Sequence, residues 1–350
     1  MGRLKVVTPG LLTTVQDVGR PKFQQSGMGV SGVMDRYSQR CANLLVGNAP
    51  DEAVLEATLL GPALEFRGES VIAVTGGAVQ PQLNGQPVAM WQSLRVKQGD
   101  ILSFTMLQKG CRLYIAFAGG IDVPVVMGSK STNLKARVGG LDGRALRKED
   151  ELSLNAAGVD VSKLPLYRLP QEFIPELRSE LELRVVLGPQ DDAFTRQGLD
   201  TFLSGVYAVT QESDRMGYRL EGEAIEHRQG SDIISDGIVM GAVQVPGNGK
   251  PIILLADRQT TGGYTKIATV ISADLPKLGQ ARPGDQIRFR EISVQEAQSC
   301  LNAMERQIAT MQQQLIAVES AAPPPPDEPG RRFVVWVDGQ SFDVSVQELS

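Results

Sequence analysis

The sequence predicts a mainly β protein with two related β domains, a C-terminal heptad helix and a β-hairpin tail. Three observations predict this fold class: many short apolar runs bounded by turn residues, an internal duplication, and a change of pattern after residue 293. The 350 residues include 37 glycines and 20 prolines, which separate short runs of β-branched and aliphatic residues. This arrangement is typical of a chain with many short strands. Helical patterns before residue 293 are confined to 37–46 and to 189–203. We expect the second helix to begin at the capping-type residues Asp191 and Asp192.

The internal duplication predicts that the two β domains are related. Three pairs of similar segments occur in the same order, namely 4–7 with 183–186, 77–85 with 241–249, and 99–104 with 284–289. Chance is the alternative explanation for any single pair, because Asn-Gly and Gly-Asp are common turn dipeptides. The three pairs together predict domains at 1–165 and 180–292. The second copy carries about 21 extra residues, and this insertion holds the polar sequence DRQTTGGY at 257–264.

After residue 293 the pattern becomes helical. Apolar or small residues recur with alternating steps of three and four, at Val294, Ala297, Leu301, Met304, Ile308, Met311, Leu315 and Val318. This heptad seam predicts a helix over 293–320 that contacts a partner or a second copy through 294–318, with folding back on its own chain as the alternative. A stiff Pro-rich linker at 321–332 follows. The last segment, 333–350, reads as a hairpin around an Asp-Gly turn at 338–339.

Composition and charge exclude several classes of function. The chain has one histidine, His227, and three widely spaced cysteines, so neither a His-rich metal site nor a zinc knuckle is indicated. The net charge of −5 gives no basic footprint for nucleic acid and no polybasic face for a membrane. No Walker-type phosphate loop and no nucleophile elbow occur. We therefore expect a cytoplasmic protein that binds a small molecule or another protein and holds no metal.

A first polar constellation lies near the N-terminus, in TVQDVGR at 14–20 and SGVMD at 31–35. The candidate substrate-binding residues in it are Gln16, Asp17, Arg20 and Asp35. Arginine can hold a carboxylate with two hydrogen bonds, and the neighbouring glycines let the backbone approach a ligand closely. The alternative is that Asp17 and Arg20 pair with each other and fix a loop. Glu56, like the nearby asparagines, is expected to tie loops instead of binding substrate.

A second constellation lies in the later half and is rich in hydrogen-bond donors. The candidate catalytic residues are Arg215, Asp257, Arg258 and Tyr264, and the candidate substrate-binding residues are Arg219, Asp236, Gln244, Gln259, Thr260 and Thr261. Such a set suits a small planar substrate that is rich in amides or negatively charged. A scaffold of buried, hydrogen-bonded loops would have the same composition, so this alternative stays open.

These motifs resemble the biotin-dependent carboxyltransferase or allophanate hydrolase subunit 2 family. The resemblance covers residues 3–292 and rests on the sequences TVQDVGR, SGVMD, ANLLVGN, SDRMGYRL, GAVQVP and DRQTTGGY. The family includes the transferase region of urea carboxylases and the C subunit of prokaryotic 5-oxoprolinase. It implies a pair of cyclophilin-like β-barrel domains and a smaller partner subunit of the same superfamily. The glycine-rich loop GMGVSG at 27–32 departs from the usual family pattern, and 294–350 lies outside the common core.

The resemblance implies a function that depends on partners. The favoured hypothesis is a carboxyltransferase subunit of a heteromeric biotin-dependent carboxylase that acts on a urea- or amide-like small molecule. The alternatives are the C subunit of an ATP-dependent 5-oxoprolinase and a regulatory protein that is not an enzyme. The hairpin at 333–350 is similar to the start of a biotin carboxyl carrier domain, but the chain has no Met-Lys sequence of a biotinylated lysine. No cofactor is therefore expected to be attached covalently to this chain, and biotin on a carrier protein and ATP would be used by partner subunits.

Overall fold

The computed structural model describes residues 2–155, 160–318, 331–337 and 340–346, with side chains in the first two of these ranges. The chain up to Ala317 forms one compact unit, and the described residues from Val318 onward belong to a second unit. The fold is mainly β, as the sequence predicts, with a closed seven-stranded barrel and a C-terminal helix. No helix in the described ranges is both long and apolar enough to cross a membrane.

The first half folds into two sheets. Its elements are β1 (Arg3–Thr8), β2 (Leu12–Gln16), α1 (Arg36–Leu45), β3 (Val54–Thr58), β4 (Ala63–Phe66), β5 (Ser70–Ala78), β6 (Pro81–Leu83), β7 (Gln86–Pro87), β8 (Ser93–Val96), β9 (Ile101–Phe104), β10 (Lys109–Phe117), β11 (Ile121–Asp122) and β12 (Glu151–Leu154). One sheet has the strand order β11-β12-β1-β4-β9-β6-β7, and the other has the order β2-β3-β10-β5-β8. Alternating apolar residues such as Leu64 and Phe66 in β4 point into a shared core, where they meet Leu113 and Phe117 of β10.

Helix α1 packs against strands β5 and β10 of the second sheet. Asp35 caps its N-terminus, because the carboxylate accepts a hydrogen bond from the Ser38 backbone N–H at 2.9 Å. Tyr37, Cys41 and Leu45 recur every four residues and are buried, so one face of the helix is apolar. The helix predicted at 37–46 is therefore confirmed.

The second half forms the closed barrel. Its elements are β13 (Tyr167–Arg168), β14 (Glu180–Leu187), α2 (Arg196–Ser204), β15 (Tyr207–Val209), β16 (Gly217–Glu221), β17 (Asp232–Gly237), β18 (Ala242–Gln244), β19 (Ile252–Leu254), β20 (Thr261–Tyr264), β21 (Lys266–Val270), α3 (Leu275–Gly279), β22 (Gln286–Glu291), α4 (Val294–Met311) and β23 (Ile316–Ala317). The barrel order is β14-β21-β18-β19-β16-β15-β22, and a parallel pairing of β14 with β22 closes the ring. Short 3₁₀ turns occur at Pro21–Ser26, Val161–Lys163, Gln171–Phe173, Asp191–Ala193 and Gln312–Gln314.

Apolar and aromatic side chains fill the barrel and support α2 on its outside. The rings of Phe202, from α2, and Phe289, from β22, stack with their centroids 4.4 Å apart. The predicted helix start was wrong. Thr195 is the cap, since its hydroxyl accepts a hydrogen bond from the Gly198 N–H at 2.9 Å, and Asp191 belongs to a separate 3₁₀ turn.

The duplicated Gly-Asp turns fold in the same way in the two halves. Before β9, the Asp100 carboxylate accepts a hydrogen bond from the Lys97 N–H at 2.8 Å. Before β22, the Asp285 carboxylate accepts one from the Arg282 N–H at 3.0 Å. An aspartate therefore closes the same four-residue turn in both halves, which supports the duplication. The predicted domain limits stay a prediction, because the two halves belong to one compact unit.

Helix α4 is shorter than predicted and folds back on its own chain. It begins with a complete capping box formed by Ser293 and Glu296, and it ends at Met311 instead of continuing to residue 320. The helix stops because the next segment turns into β23, which pairs with β13.

The last turns of the α4 seam face the first half. Ile308 and Met311 are buried in the core that contains α1, and the Met311 sulfur lies 3.7 Å from the Cys41 sulfur. Val294, at the start of the seam, is 50% exposed, so the favoured prediction of a partner or self-association contact through 294–318 stays a prediction.

The second unit contains a β-hairpin. Strands β24 (Arg331–Val337) and β25 (Gln340–Val346) pair in antiparallel register, with Val337 opposite Gln340. This register leaves two residues to join the strands, which is the loop length of the hairpin that the sequence predicts. The turn itself at 338–339 and most of the predicted linker at 321–332 lie outside the described residues.

Candidate functional site

The two halves meet at a buried ion-pair network around Arg215. Its Nε and Nη2 donate to the two carboxylate oxygens of Asp257 at 2.8 and 3.3 Å. Its Nη1 donates to Glu56, and Nη2 also donates to the Gly32 carbonyl at 2.6 Å. Burial lowers the pKa of Arg215, but the attraction of Asp257 and Glu56 is stronger, so the net pKa is raised. The guanidinium is therefore a permanent cation whose hydrogen bonds are directed to protein groups.

Arg112 and Tyr114 of β10 extend this network. Arg112 Nη1 donates to the Tyr218 hydroxyl at 2.6 Å, and its Nε lies 3.8 Å from a Glu56 carboxylate oxygen. The Tyr114 hydroxyl donates to the other Glu56 oxygen at 2.9 Å. Arg112 and Tyr114 were not among the candidate site residues predicted from the sequence, and Glu56 was expected to tie loops. The available signal was an arginine within a strand whose neighbours are almost all apolar.

Asp35 links the network to the barrel. Its carboxylate accepts hydrogen bonds from the Ser38 hydroxyl at 2.6 Å and from Gln280 Nε2 at 2.8 Å. The side-chain amide oxygen of Gln280, Oε1, accepts from the backbone N–H groups of Cys111 and Arg112 at 3.2 and 3.1 Å. Burial raises the pKa of Asp35, and the hydrogen bonds from Gln280 and Ser38 oppose this rise. Asp35 thus caps a helix and joins the two halves.

Asp17 organises the loop at residues 128–132. Its carboxylate accepts hydrogen bonds from the hydroxyl groups of Ser129 and Ser131 at 2.6 and 2.5 Å. It also accepts from the backbone N–H groups of Gly19 and Lys130 at 2.8 and 2.6 Å. Four donors occupy the two carboxylate oxygens, so the geometry gives Asp17 a structural role.

Gln16 is enclosed in the same region. Its side-chain amide donates to the Thr14 hydroxyl at 3.0 Å and to the Thr132 carbonyl at 3.1 Å, and it accepts from the Gly32 N–H at 3.2 Å. It is fully buried. These three contacts connect β2 to the glycine-rich loop and to the 128–132 loop.

Arg20 does not form the ion pair with Asp17 that the sequence suggested. Its guanidinium donates to the backbone carbonyls of Val126, at 3.4 Å, and Ser131. Its Nη1 is enclosed and has no hydrogen-bond partner among the described residues. Burial lowers the pKa of Arg20, although Asp17 and Asp257 oppose this effect through space.

A cleft of about 690 Å³ on the barrel brings four of the predicted residues together. These are Arg219, Gln244, Gln259 and Tyr264, and they line the cleft with Glu212, Lys250 and other side chains. Gln244 is 6% exposed and donates weakly to the Tyr264 carbonyl at 3.5 Å, whereas the Tyr264 side chain is 42% exposed. Amide, phenol and charged groups thus share an open cavity that falls within the usual size range of ligand sites.

A two-stranded ribbon, formed by β17 and β20, borders this cleft. Tyr264 belongs to the ribbon and also lines the cleft. Asp236 in the ribbon binds Lys266 Nζ at 3.0 Å, and this contact lowers the pKa of the Asp236 carboxyl. Thr261 begins β20, and the Thr260 carbonyl accepts from the Ile238 N–H at 3.0 Å. Asp236 and Thr261 therefore belong to the ribbon, and Thr260 directly precedes its second strand. These three residues do not line the cleft.

Arg258 lies at the base of the ribbon. Its Nε donates to the Ile238 carbonyl at 3.1 Å and its Nη1 to the Leu255 carbonyl at 3.2 Å. The side chain is 6% exposed, and burial lowers its pKa to about 10. Unlike Arg215, it forms no ion pair within the described ranges.

A second cavity of about 800 Å³ lies between α1, α3 and α4. Of the predicted residues it contains only Asp35, whose carboxylate is occupied by Ser38 and Gln280. The structure thus separates the predicted set into three groups. One lies in the buried junction, one ties loops in the first half, and one lines the barrel cleft or its ribbon.

Comparison with known proteins shows one consistent relationship. A family model described as "Carboxyltransferase domain, subdomain A and B" matches residues 26–291. The chain is 40% identical over 294 residues to the C subunit of the 5-oxoprolinase of Escherichia coli (strain K12), which covers 84% of this chain and 93% of that protein. It is 36% identical over 315 residues to the urea amidolyase of Saccharomyces cerevisiae, but it covers only 17% of that protein. A crystal structure of Kluyveromyces lactis urea carboxylase superposes with a TM-score of 0.84 at 35% identity, over 88% of this chain and 29% of that one.

Proposed function

Because the chain belongs to the carboxyltransferase-domain family with subdomains A and B, we propose that it is an enzyme subunit that acts on a carbon–nitrogen bond of a small amide. The reaction we favour is the opening of a cyclic amide of the 5-oxoproline type. One observation carries this choice. The chain matches 93% of the separate C subunit of a bacterial 5-oxoprolinase, whereas it matches less than a fifth of the urea amidolyases. This reverses the order of the two hypotheses that the sequence alone favoured.

The cleft residues suit a lactam. The side-chain amides of Gln244 and Gln259 each offer a donor and an acceptor, which match the N–H and C=O of a cyclic amide. Tyr264 offers a hydroxyl for proton transfer at the mouth of the cleft. Hydrogen bonds that strengthen as charge develops on the amide oxygen would lower the barrier to ring opening.

The rest of the chemistry is assigned to partners. ATP would be used by partner subunits, and the smaller subunit of the same superfamily is the first candidate partner. The open shape of the cleft, with the exposed side chains of Arg219 and Tyr264, suits a site that a partner covers before reaction. Covering the cleft would exclude water and strengthen every polar contact inside it.

Carboxyl transfer from carboxybiotin to a urea-like acceptor is the second candidate. The similarity of the 333–350 sequence to the start of a biotin carrier domain favours it, as does the match to urea carboxylase. The cleft has room for a ureido ring system, which Gln244 and Gln259 would hold. Carboxybiotin, held on a separate carrier protein, would supply the carboxyl group.

Reconstitution separates these reactions. The full chain is mixed with its candidate partner subunits and ATP, and glutamate release from 5-oxoproline is measured with and without avidin. Ring opening that avidin does not affect supports the first proposal. Avidin-sensitive fixation of labelled bicarbonate into urea, with a biotin carboxylase and a carrier present, supports the second. Stable complexes without either activity would support a regulatory binding protein.

A further inference from the structure

Four arginines are candidates for holding a carboxylate of the substrate, namely Arg20, Arg215, Arg219 and Arg258. Their sequence motifs do not distinguish them, but in the structure each arginine has different hydrogen-bond and ion-pair partners. Assigning one of them to a substrate carboxylate rests on the proposed function, because the substrate would occupy the same region.

Arg215 is excluded because protein anions already bind it. Both carboxylate oxygens of Asp257 and one of Glu56 lie within hydrogen-bond distance of its guanidinium. A substrate carboxylate would have to displace one of these acids and leave it buried without a partner.

Arg219 is excluded for the opposite reason. Its side chain is 56% exposed, and its ion-pair partner Glu212 lies 3.7 Å away and is 80% exposed. A carboxylate at this position would compete with water and salt ions, so the contact would contribute little affinity.

Arg20 is excluded by access. It is 1% exposed, and its unpartnered Nη1 is completely enclosed. Residues of the first half pack closely around Arg20. For example, a methyl group added at Gly139 would lie only 2.7 Å from the Arg20 Nη2. A small anion has no route to this guanidinium without a movement of the 128–132 loop.

Arg258 remains, and its environment is unusual for a buried arginine. Two of its nitrogens are held by the carbonyls of Ile238 and Leu255, whereas Nη2 has no partner among the described residues. Unlike the Nη1 of Arg20, this Nη2 is not among the side-chain atoms that are fully buried without a partner, and Arg258 as a residue is 6% exposed. The two carbonyls fix the plane of the guanidinium without neutralising it. A buried cation without a counterion is costly, so the arrangement favours the binding of an anion.

The surroundings place this guanidinium where two polar segments of the fold meet. Gln24, in the loop before the glycine-rich sequence, donates to the same Ile238 carbonyl at 3.4 Å. The backbone carbonyl of Arg258 lies close to Gly29, since a methyl group added at Gly29 would be 3.6 Å from this oxygen. Gln259, the next residue in the chain, lines the barrel cleft. Arg258 therefore lies where the barrel half contacts the first half of the chain, and its neighbour in the chain, Gln259, lines the cleft.

We propose that Arg258 Nη2 receives the carboxylate of a small monocarboxylate substrate at this junction, while the amide end of the substrate reaches the cleft residues. Arg258 thereby determines specificity for an acid over the corresponding neutral amide. The carboxylate supplies the counterion that the protein itself does not.

Thermal unfolding of the full chain and of the reconstituted complex tests this assignment. The probes are 5-oxoproline and its neutral counterpart 2-pyrrolidinone, with wild-type protein, R258M and R258K, and with R196Q as a control. Arg196 is 86% exposed in α2 and forms a surface ion pair with Asp200. Wild type and R196Q should be stabilised by 5-oxoproline more than by 2-pyrrolidinone.

Two results are expected of the variants. R258M without ligand should be at least as stable as wild type, because it removes an uncompensated charge, and it should bind 5-oxoproline at least about tenfold more weakly. R258K keeps the charge without the planar fork, so it should retain part of the preference for the acid. If R258M fails to fold, the comparison of R258K with wild type still measures the preference.

The assignment is overturned if R258M, or R258K in its place, keeps the full preference of wild type for the acid. It is also overturned if wild type binds the acid and the neutral lactam equally. The proposed function can fail separately. A protein whose Arg258-dependent preference for carboxylates is intact, but which supports no ring opening in the complex, keeps the site and loses the reaction.

Discussion

At the scale of single residues, the partners of each buried charge decide what it does. Arg215 is held by Asp257 and Glu56, and this makes it a structural cation even though it lies within a family motif. Arg258, only 43 residues further along the chain, has carbonyls where Arg215 has acids. The two arginines are similarly buried but differ in role. The acids of the protein neutralise Arg215, whereas Arg258 needs a ligand to supply its counterion.

The substitution Arg215→Met should strongly destabilise the protein. It leaves Asp257 without its cation and Glu56 with only Arg112 at 3.8 Å, and breaking a buried pair in this way costs about 3–5 kcal/mol. The free energy of unfolding in urea measures the loss. Arg219→Met is the matched control, because its side chain is 56% exposed and should change stability by less than about 0.5 kcal/mol. Equal effects of the two substitutions would contradict a stabilising role of the network.

Asp274 should give the protein part of its sensitivity to acid. Burial alone would raise its pKa, but hydrogen bonds from Arg184 and Lys277 hold it below its ordinary value. Its stabilising contribution is therefore complete above the unfolded pKa of about 4 and is lost as the pH falls through the lower folded pKa. The stability difference between wild type and Asp274→Asn should be largest near neutral pH and shrink under acid conditions. Asp200→Asn, at an exposed pair, is the control.

A constant difference between wild type and Asp274→Asn at every pH would show that the carboxylate acts through packing alone. Urea unfolding curves at a series of pH values distinguish the two results.

At the scale of elements, the apolar residues in the last turns of α4 pack against the core that contains α1. The helix is polar on most of its circumference, and its last turns carry Met304, Ile308 and Met311 toward α1. Arg40 of α1 and Glu305 of α4 form an ion pair at 2.7 Å beside this contact. The helix is thus an integral layer of the first unit and not a free arm.

Truncation of the seam should loosen the helix without changing the oligomeric state. Ile308→Ala removes a side chain that is 8% exposed, and we expect a loss of roughly 2–3 kcal/mol with faster hydrogen exchange in α4. Gln307→Ala, at an exposed neighbouring position, is the control. Unchanged stability together with a change in mass by light scattering would instead support contact of the seam with a second copy.

At the scale of the whole molecule, polar contacts hold the two halves together. Gln280, at the end of α3, binds Asp35 and the backbone of Cys111 and Arg112 at once. Hydrogen bonds are directional, so this junction fixes the relative position of the sheets and the barrel more strictly than apolar contact would. The residues that the sequence places in one site are brought near each other only because this junction forms.

Gln280→Leu should uncouple the halves. It leaves two buried N–H groups and a carboxylate short of a partner, at a cost of roughly 3 kcal/mol. In a Trp336→Phe background, fluorescence of Trp91 reports on the first half, while circular dichroism reports on all strands. The two unfolding transitions should coincide in wild type and separate in the variant. Gln295→Leu, at an exposed position of α4, is the control, and coincident transitions in both variants would refute the role of Gln280.

The parts of this molecule that local patterns encode were predictable from the sequence. Turn residues and alternation predicted the strands, and Asp100 and Asp285 in repeated turns disclosed the duplication. The partner of α4 was not predictable, because a heptad seam specifies an apolar contact without naming the surface that supplies it. Glu56 was missed for a related reason. A single acid in a strand is ambiguous until the tertiary fold brings an arginine from 159 residues away against it.

The candidate site was predictable in its residue types but not in its arrangement. Spacing placed Asp17 and Arg20 together, yet serine hydroxyls and backbone N–H groups took the carboxylate and left the arginine to bind carbonyls. Gln244, Gln259 and Tyr264 did converge, because the ribbon and the barrel strands bring distant segments to one cleft. Long-range pairing, which short motifs do not record, decides between these outcomes.

The parallel pairing of β14 with β22 also has a mechanical consequence. Glu180, at the start of β14, lies opposite Gln286, and the two strands run side by side in the same direction to Val185 and Glu291. A force that pulls the barrel by its entering and leaving chain ends would therefore load this pair in shear. All of its interstrand hydrogen bonds would bear the load together, instead of opening one after another as in a zipper. The barrel should therefore resist extension along this axis more strongly than extension across it.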